Sequence, residues 1–170
     1  MLVILLVQPF TAQATKLNTC RTAMLASETQ QISFGDMAPT AGGTVTVSTA
    51  GARTATGVSL LGGSVNAGIL TVTSPRANCH CYPLSIAVQD ATATLASGGG
   101  SMAMSNIVTS PTTADAATVG SAAGSSLQIN VGADLAVGAA QAAGTYNTAG
   151  DTYMVRVRFL RSPTSGNKCP

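Results

Sequence analysis

Tyr153-Met-Val-Arg-Val-Arg-Phe159 decides the class of fold. Successive side chains of a strand alternate between the two faces of its sheet, so Tyr153, Val155, Val157 and Phe159 face one way while Arg156 and Arg158 face the other. One face belongs in a core and the other in water, the pattern of a half-buried strand in an antiparallel sheet. Upstream, Gly43-Thr-Val-Thr-Val-Ser48 sets Val45 and Val47 against Thr44 and Thr46. Gly68-Ile-Leu-Thr-Val-Thr73, Tyr82-Pro-Leu-Ser-Ile-Ala-Val88, Ser101-Met-Ala-Met104 and Leu127-Gln-Ile-Asn-Val131 continue the series, each bounded by turn formers. From Ile32 onward helical periodicity is nearly absent. About seven to nine strands at spacings of roughly 8 to 15 residues predict an antiparallel β-sandwich in preference to a barrel or a solenoid. No repeat recurs at a fixed period, which argues against a β-helix.

Composition fits a sheet protein that meets other surfaces. Charged residues make up 8% of the 170 residues and hydrophobic ones 45%, with three Phe, three Tyr and no Trp. A globular norm of about 25% charged residues leaves this surface to Thr, Ser, Ala and Gly, with little like-charge repulsion between copies. Self-association is therefore favoured. The net charge of +2 comes from scattered cations without a Lys or Arg run, so a phosphate backbone has nothing to track and nucleic acid is not an expected partner. Met1 to Val7 is the one long apolar run, shorter than the roughly 20 residues that cross a bilayer, so no membrane span is expected.

That apolar run has two readings. In one, Ala12-Gln13-Ala14 is a small-x-small cleavage site and residues 1–14 are a leader. In the other, the segment is retained as an extended β-branched strand closed by Pro9. Both predict export. Four cysteines, Cys20, Cys79, Cys81 and Cys169, agree with an oxidising compartment and a disulfide framework. Cys79 and Cys81 flank one residue and would strain a mutual bridge, so one is expected to reach Cys20 and the other Cys169. The chain divides into an N-terminal extension over residues 1–19, a sandwich domain over residues 20–162 and a polar tail over residues 163–170. Ser110 to Ser126, rich in Ala, Thr and Ser, is expected to form a long exposed loop.

Sites of chemistry are sparse. Asn78-Cys-His-Cys81 offers two thiolates and an imidazole, but zinc sites place two to four residues between paired cysteines, and His80 on a strand points away from its neighbours. Disulfides are the expected state, and no metal or cofactor is expected. His80 is the single histidine, Glu28 the single glutamate, and six carboxylates are spread along the chain without a Gly-x-Ser-x-Gly elbow. No catalytic residues are assigned and an enzyme is not expected. Gly98-Gly-Gly100 reads as a hairpin turn, Met102 and Met104 as core filler, and Arg156, Arg158 and Arg161 as a solvated stripe.

Ile32-Ser-Phe-Gly35, Gly43-Thr-Val-Thr-Val47, Gly51-Ala-Arg53, Gly57-Val-Ser-Leu60, Thr71-Val-Thr73, Val131-Gly-Ala-Asp-Leu-Ala-Val137 and Gln141-Ala-Ala-Gly-Thr-Tyr146 occur in that order. Together they resemble the bacterial domain-of-unknown-function family numbered 4402, over about residues 30 to 160. That family is similar in turn to spore coat protein U and the chaperone-usher pilins. The resemblance implies an exported, immunoglobulin-like (pilin-like) antiparallel β-sandwich of a Gram-negative bacterium, lying at the cell surface or outside the cell. In the pilin relatives a missing last strand is supplied by the N-terminal extension of the next subunit, with a periplasmic chaperone and usher as partners. The end of the chain soon after Phe159 fits such an incomplete fold. Here the inserting strand would be carried by Leu2, Val3, Ile4, Leu5, Leu6, Val7 and Phe10, making a homopolymer held by strand exchange. The alternative is a monomeric secreted adhesin or matrix protein with its leader removed.

Overall fold

The computed structural model describes residues 25–73, 84–97, 100–114, 126–146 and 153–159. Twelve strands and no helix occur among them: β1 (Leu25–Gln30), β2 (Ser33–Phe34), β3 (Met37–Val47), β4 (Arg53–Leu60), β5 (Val65–Asn66), β6 (Gly68–Thr73), β7 (Leu84–Asp90), β8 (Ala93–Ser97), β9 (Gly100–Ser110), β10 (Thr113–Ala114), β11 (Ser126–Val137) and β12 (Met154–Phe159). Three of these, β2, β5 and β10, are two-residue ladders. The nine others meet the upper end of the expected seven to nine.

All pairings are antiparallel. A seven-stranded sheet runs β1-β6-β11-β3-β4, with β9 also on β11 and β8 on β9, while β10-β7-β12 forms a three-stranded sheet and β2-β5 a small ladder. The two larger sheets sandwich one core. Val45, Val47, Ile129, Val131 and Met104 from the large sheet, Val155 from β12 and Tyr153 just before it are all at 0% exposure. The alternation that announced β12 is realised: Tyr153, Val155 and Val157 are buried.

The long strand β11 organises the large sheet. Along one border it pairs with β6 through Val131↔Gly68 and then with β3 from Ala133↔Val47, while β9 holds the other border. Gly132 sits at the handover, where a Cβ would lie 2.7 Å from the Val47 carbonyl oxygen and 2.8 Å from the Thr49 nitrogen. Only glycine lets the end of β3 approach so closely. Opposite, Gly132 pairs with Val108 and Asp134 with Ser105, so β9 carries an extra residue. Asn106 takes up this bulge in the left-handed region at φ 48°, a conformation Asn tolerates better than most residues.

Two expectations need adjusting. The stretch from Ser110 is not all loop, because Thr113 and Ala114 pair with Ser85 and Leu84 as β10 and the Thr112 carbonyl accepts from the Ile86 N–H at 2.8 Å. Nor is Arg156 freely solvated: it is half-buried and its Nε is enclosed without a hydrogen-bond partner. The hairpin expected at Gly98–Gly100 closes with Ser97 opposite Gly100, and Met102 and Met104 are core residues.

Candidate functional site

The first feature is a pair of border strands, one in each of the two larger sheets. Among the described residues β12 pairs with β7 alone, and β1 pairs with β6 alone. Border strands are ordinarily short or peripheral. The border strand β4 fits that rule, none of its side chains being fully buried. In contrast, β12 places its apolar face in the centre of the core while leaving one backbone border without a described partner. Glu28 of β1 meets Tyr153 beside the start of β12: the phenol donates to the carboxylate across 3.5 Å, at the long limit of a hydrogen bond. Burial pushes the Glu28 carboxyl above its ordinary value, even though the Tyr153 contact acts the other way. Burial, and then the nearby Glu28 charge, push the Tyr153 phenol well above its ordinary value.

The second feature is a cavity of about 950 Å³. Phe34 from β2, Met37 from β3, Leu95 from β8, Met102 from β9 and Leu135 and Val137 from β11 give it an apolar floor. One wall is the Phe34–Asp36 turn. Arg53 clamps it there, Nη1 donating to the Phe34 carbonyl at 2.9 Å and the Asp36 carbonyl at 3.1 Å, and Nη2 to the Leu61 carbonyl at 2.7 Å. Asp36 and Leu61 also exchange backbone bonds with this corner, Leu61 N–H reaching the Asp36 carbonyl and Asp36 N–H the Gly62 carbonyl, each at 3.0 Å. The opposite wall is the Gln141–Tyr146 segment. Its ring is pinned at the hydroxyl, which accepts from Gln141 Nε2 at 2.8 Å and donates to the Ala142 carbonyl at 2.7 Å. Thus Phe-Gly, Gly-Ala-Arg and Gly-Thr-Tyr, far apart in sequence, build one corner of the domain.

The residues expected to act in assembly, Leu2, Val3, Ile4, Leu5, Leu6, Val7 and Phe10, lie outside the described residues, as do Cys20, Cys79, Cys81, Cys169, His80 and Arg161. The N-terminal extension over residues 1–19 and the tail over residues 163–170 lie outside them as well. Among the described residues no three His, Cys, Asp or Glu side chains gather in a metal-binding group. No described helix could cross a membrane. The cavity was not expected from sequence, and neither was β1: Leu25-Ala-Ser-Glu-Thr-Gln30 lacks alternating apolar residues.

A family model described as "Domain of unknown function (DUF4402)" matches residues 25–159, the full span from β1 to β12. No curated protein and no solved structure matches the chain.

Proposed function

The chain belongs to the DUF4402 family, and from that premise we propose that it is a structural subunit of an extracellular, pilus-like filament. The apolar N-terminal strand of one copy, Leu2 to Phe10, inserts beside β12 of the next, and the exported chain reaches the cell surface through the periplasm. What supports the reading is the standing of β12: Val155 at 0% exposure and Val157 at 3%, with Tyr153 at 0% just before them, belong to the core, and the strand is hydrogen-bonded to β7 alone among the described residues. A strand so central to the core, with one border unpaired among the described residues, is what strand addition completes. An inserted strand also buries apolar side chains at about 25 cal/mol per Å². Head-to-tail insertion does not close on itself and so propagates a fibre. The kinship of the family with spore coat protein U and pilin domains belongs to the same proposal, as do the disulfides that would tie both chain ends to the domain.

Deleting residues 2 to 8 tests it. The full chain is expected to form fibres under the electron microscope and the deletion variant to remain without them while keeping a β-type circular dichroism spectrum. Fibres from the deletion variant would refute the proposal. The cavity favours the second reading, a monomeric adhesin, and N-terminal sequencing of the exported protein separates the two: a start at Thr15 supports the adhesin and a start before Leu5 the filament.

A further inference from the structure

We propose that the cavity bounded by the Phe34–Asp36 turn and the Gln141–Tyr146 segment binds a neutral saccharide. Its volume of about 950 Å³ lies in the range of small-ligand sites, roughly 300–1,000 Å³. The chemistry of the lining selects the class. Among the described residues no Lys, Arg or His lines it and Asp36 is the one carboxylate that does, while the Arg53 guanidinium behind the turn is engaged by the Phe34, Asp36 and Leu61 carbonyls, so an anionic ligand would meet a like charge before any free cation. A purely apolar ligand would take polar side chains out of water: Gln31, Asp36 and Thr145 line the cavity and are exposed to solvent there. Burying such groups unpaired costs about 1–3 kcal/mol each.

A sugar answers both halves of this surface. Its hydroxyls donate and accept, matching an amide, a carboxylate and a hydroxyl, and its C–H faces suit an apolar floor and an aromatic wall. The wall is pre-set. Tyr146 is already held by Gln141 and Ala142 through its hydroxyl, and the Phe34–Asp36 turn is fixed by two hydrogen bonds from Arg53, which a third ties to the Leu61 carbonyl. Strands supply the floor, so ligand contacts need little ordering on binding. This inference does not depend on filament assembly; a fibre of such subunits would display the cavity many times and gain avidity for a glycan-coated surface.

Saturation-transfer difference NMR on the full chain with maltotriose, cellotriose and triacetylchitotriose as probes provides the test. Saturation of at least one trisaccharide at millimolar concentration is expected. Ala143→Trp should fill the cavity, because Ala143 lines it and is exposed, and should weaken binding about tenfold or more with an unchanged melting temperature. Should that variant fold poorly, Thr145→Trp serves the same purpose from the same wall. Absence of transfer to all three probes overturns the proposal, and so does undiminished transfer to the filled variants. Loss of fibres in Ala143→Trp without saccharide binding by the wild type would likewise overturn it, assigning the cavity to a second copy of the chain.

Discussion

Tyr153, the residue just before β12, and Glu28 on β1 face each other across 3.5 Å, placing a partly buried carboxylate against a buried phenol. Because burial raises its pKa from the ordinary 4.5, the folded chain takes up this proton more readily than the unfolded chain does. The stability from this group is therefore fully present below the ordinary value and is lost as pH rises through the raised one. Glu28→Gln keeps an oxygen to accept from Tyr153 and removes the charge. Its melting temperature is expected to exceed that of wild type near neutral pH and to converge with it in acid; thermal melts across pH check this, and a variant less stable than wild type at neutral pH contradicts it.

Asp134 runs in the opposite direction. Its Oδ2 accepts from Asn106 Nδ2 at 2.7 Å and its Oδ1 from Thr46 Oγ1 at 2.6 Å, joining β9, β11 and β3. These bonds, that from Asn106 foremost, hold the carboxyl below its ordinary 3.8. The associated stability is present above that value and is lost as pH falls through the depressed one. Asn106→Ala removes the donor and places a Cβ-bearing residue less tolerant of the left-handed region at φ 48°, for a cost of about 1–2 kcal/mol. Asn106→Gly relieves the backbone and should recover part of the loss. Urea denaturation of both variants gives the order, and equal losses would mean that the backbone conformation contributes nothing.

Legibility in the sequence followed locality. Gly68–Thr73 and Met154–Phe159 were readable because alternation and flanking turn formers are local, and burial confirms both. In β1, Leu25–Gln30, the inward contact is made by a glutamate, which no hydrophobic pattern announces. Ala93–Ser97 of β8 escaped for a related reason, its small residues carrying a weak strand signal. The handover of β11 from β6 to β3 at Gly132 depends on partners about 60 and 85 positions away, and pairing at such separations has no signature in a single sequence. Arg53 was visible as part of a recurring pattern, yet its role is to gather three carbonyls from turns that sequence alone does not bring together.

Gly132→Ala probes that handover. The added Cβ would meet the Val47 carbonyl oxygen at 2.7 Å and the Ser48 carbonyl carbon at 2.8 Å, atoms of a paired backbone that cannot rotate away. The expected loss is about 1–3 kcal/mol, the range for forced overpacking. Amide hydrogen exchange should show loss of protection concentrated where β11 passes to β3, from Ala133 to Val137. An unperturbed exchange pattern with wild-type stability would mean that the sheet can shift there at no cost.

Strand insertion beside β12 makes a prediction that needs no fibre. A synthetic peptide carrying Leu2 to Phe10, with a lysine tail for solubility, should bind the chain lacking residues 2 to 8, because the segment then acts in trans as a ligand of the folded state. At a peptide concentration of 100 times its dissociation constant, the linkage relation gives a stabilisation of about 2.7 kcal/mol, visible as a rise in melting temperature. The amides of β12 are expected to gain exchange protection on the border away from β7, since the peptide backbone would pair there. Protection confined to other strands, or a peptide of scrambled order that stabilises equally well, would show nonspecific adhesion of an apolar segment to a charge-poor surface and not completion of the sheet.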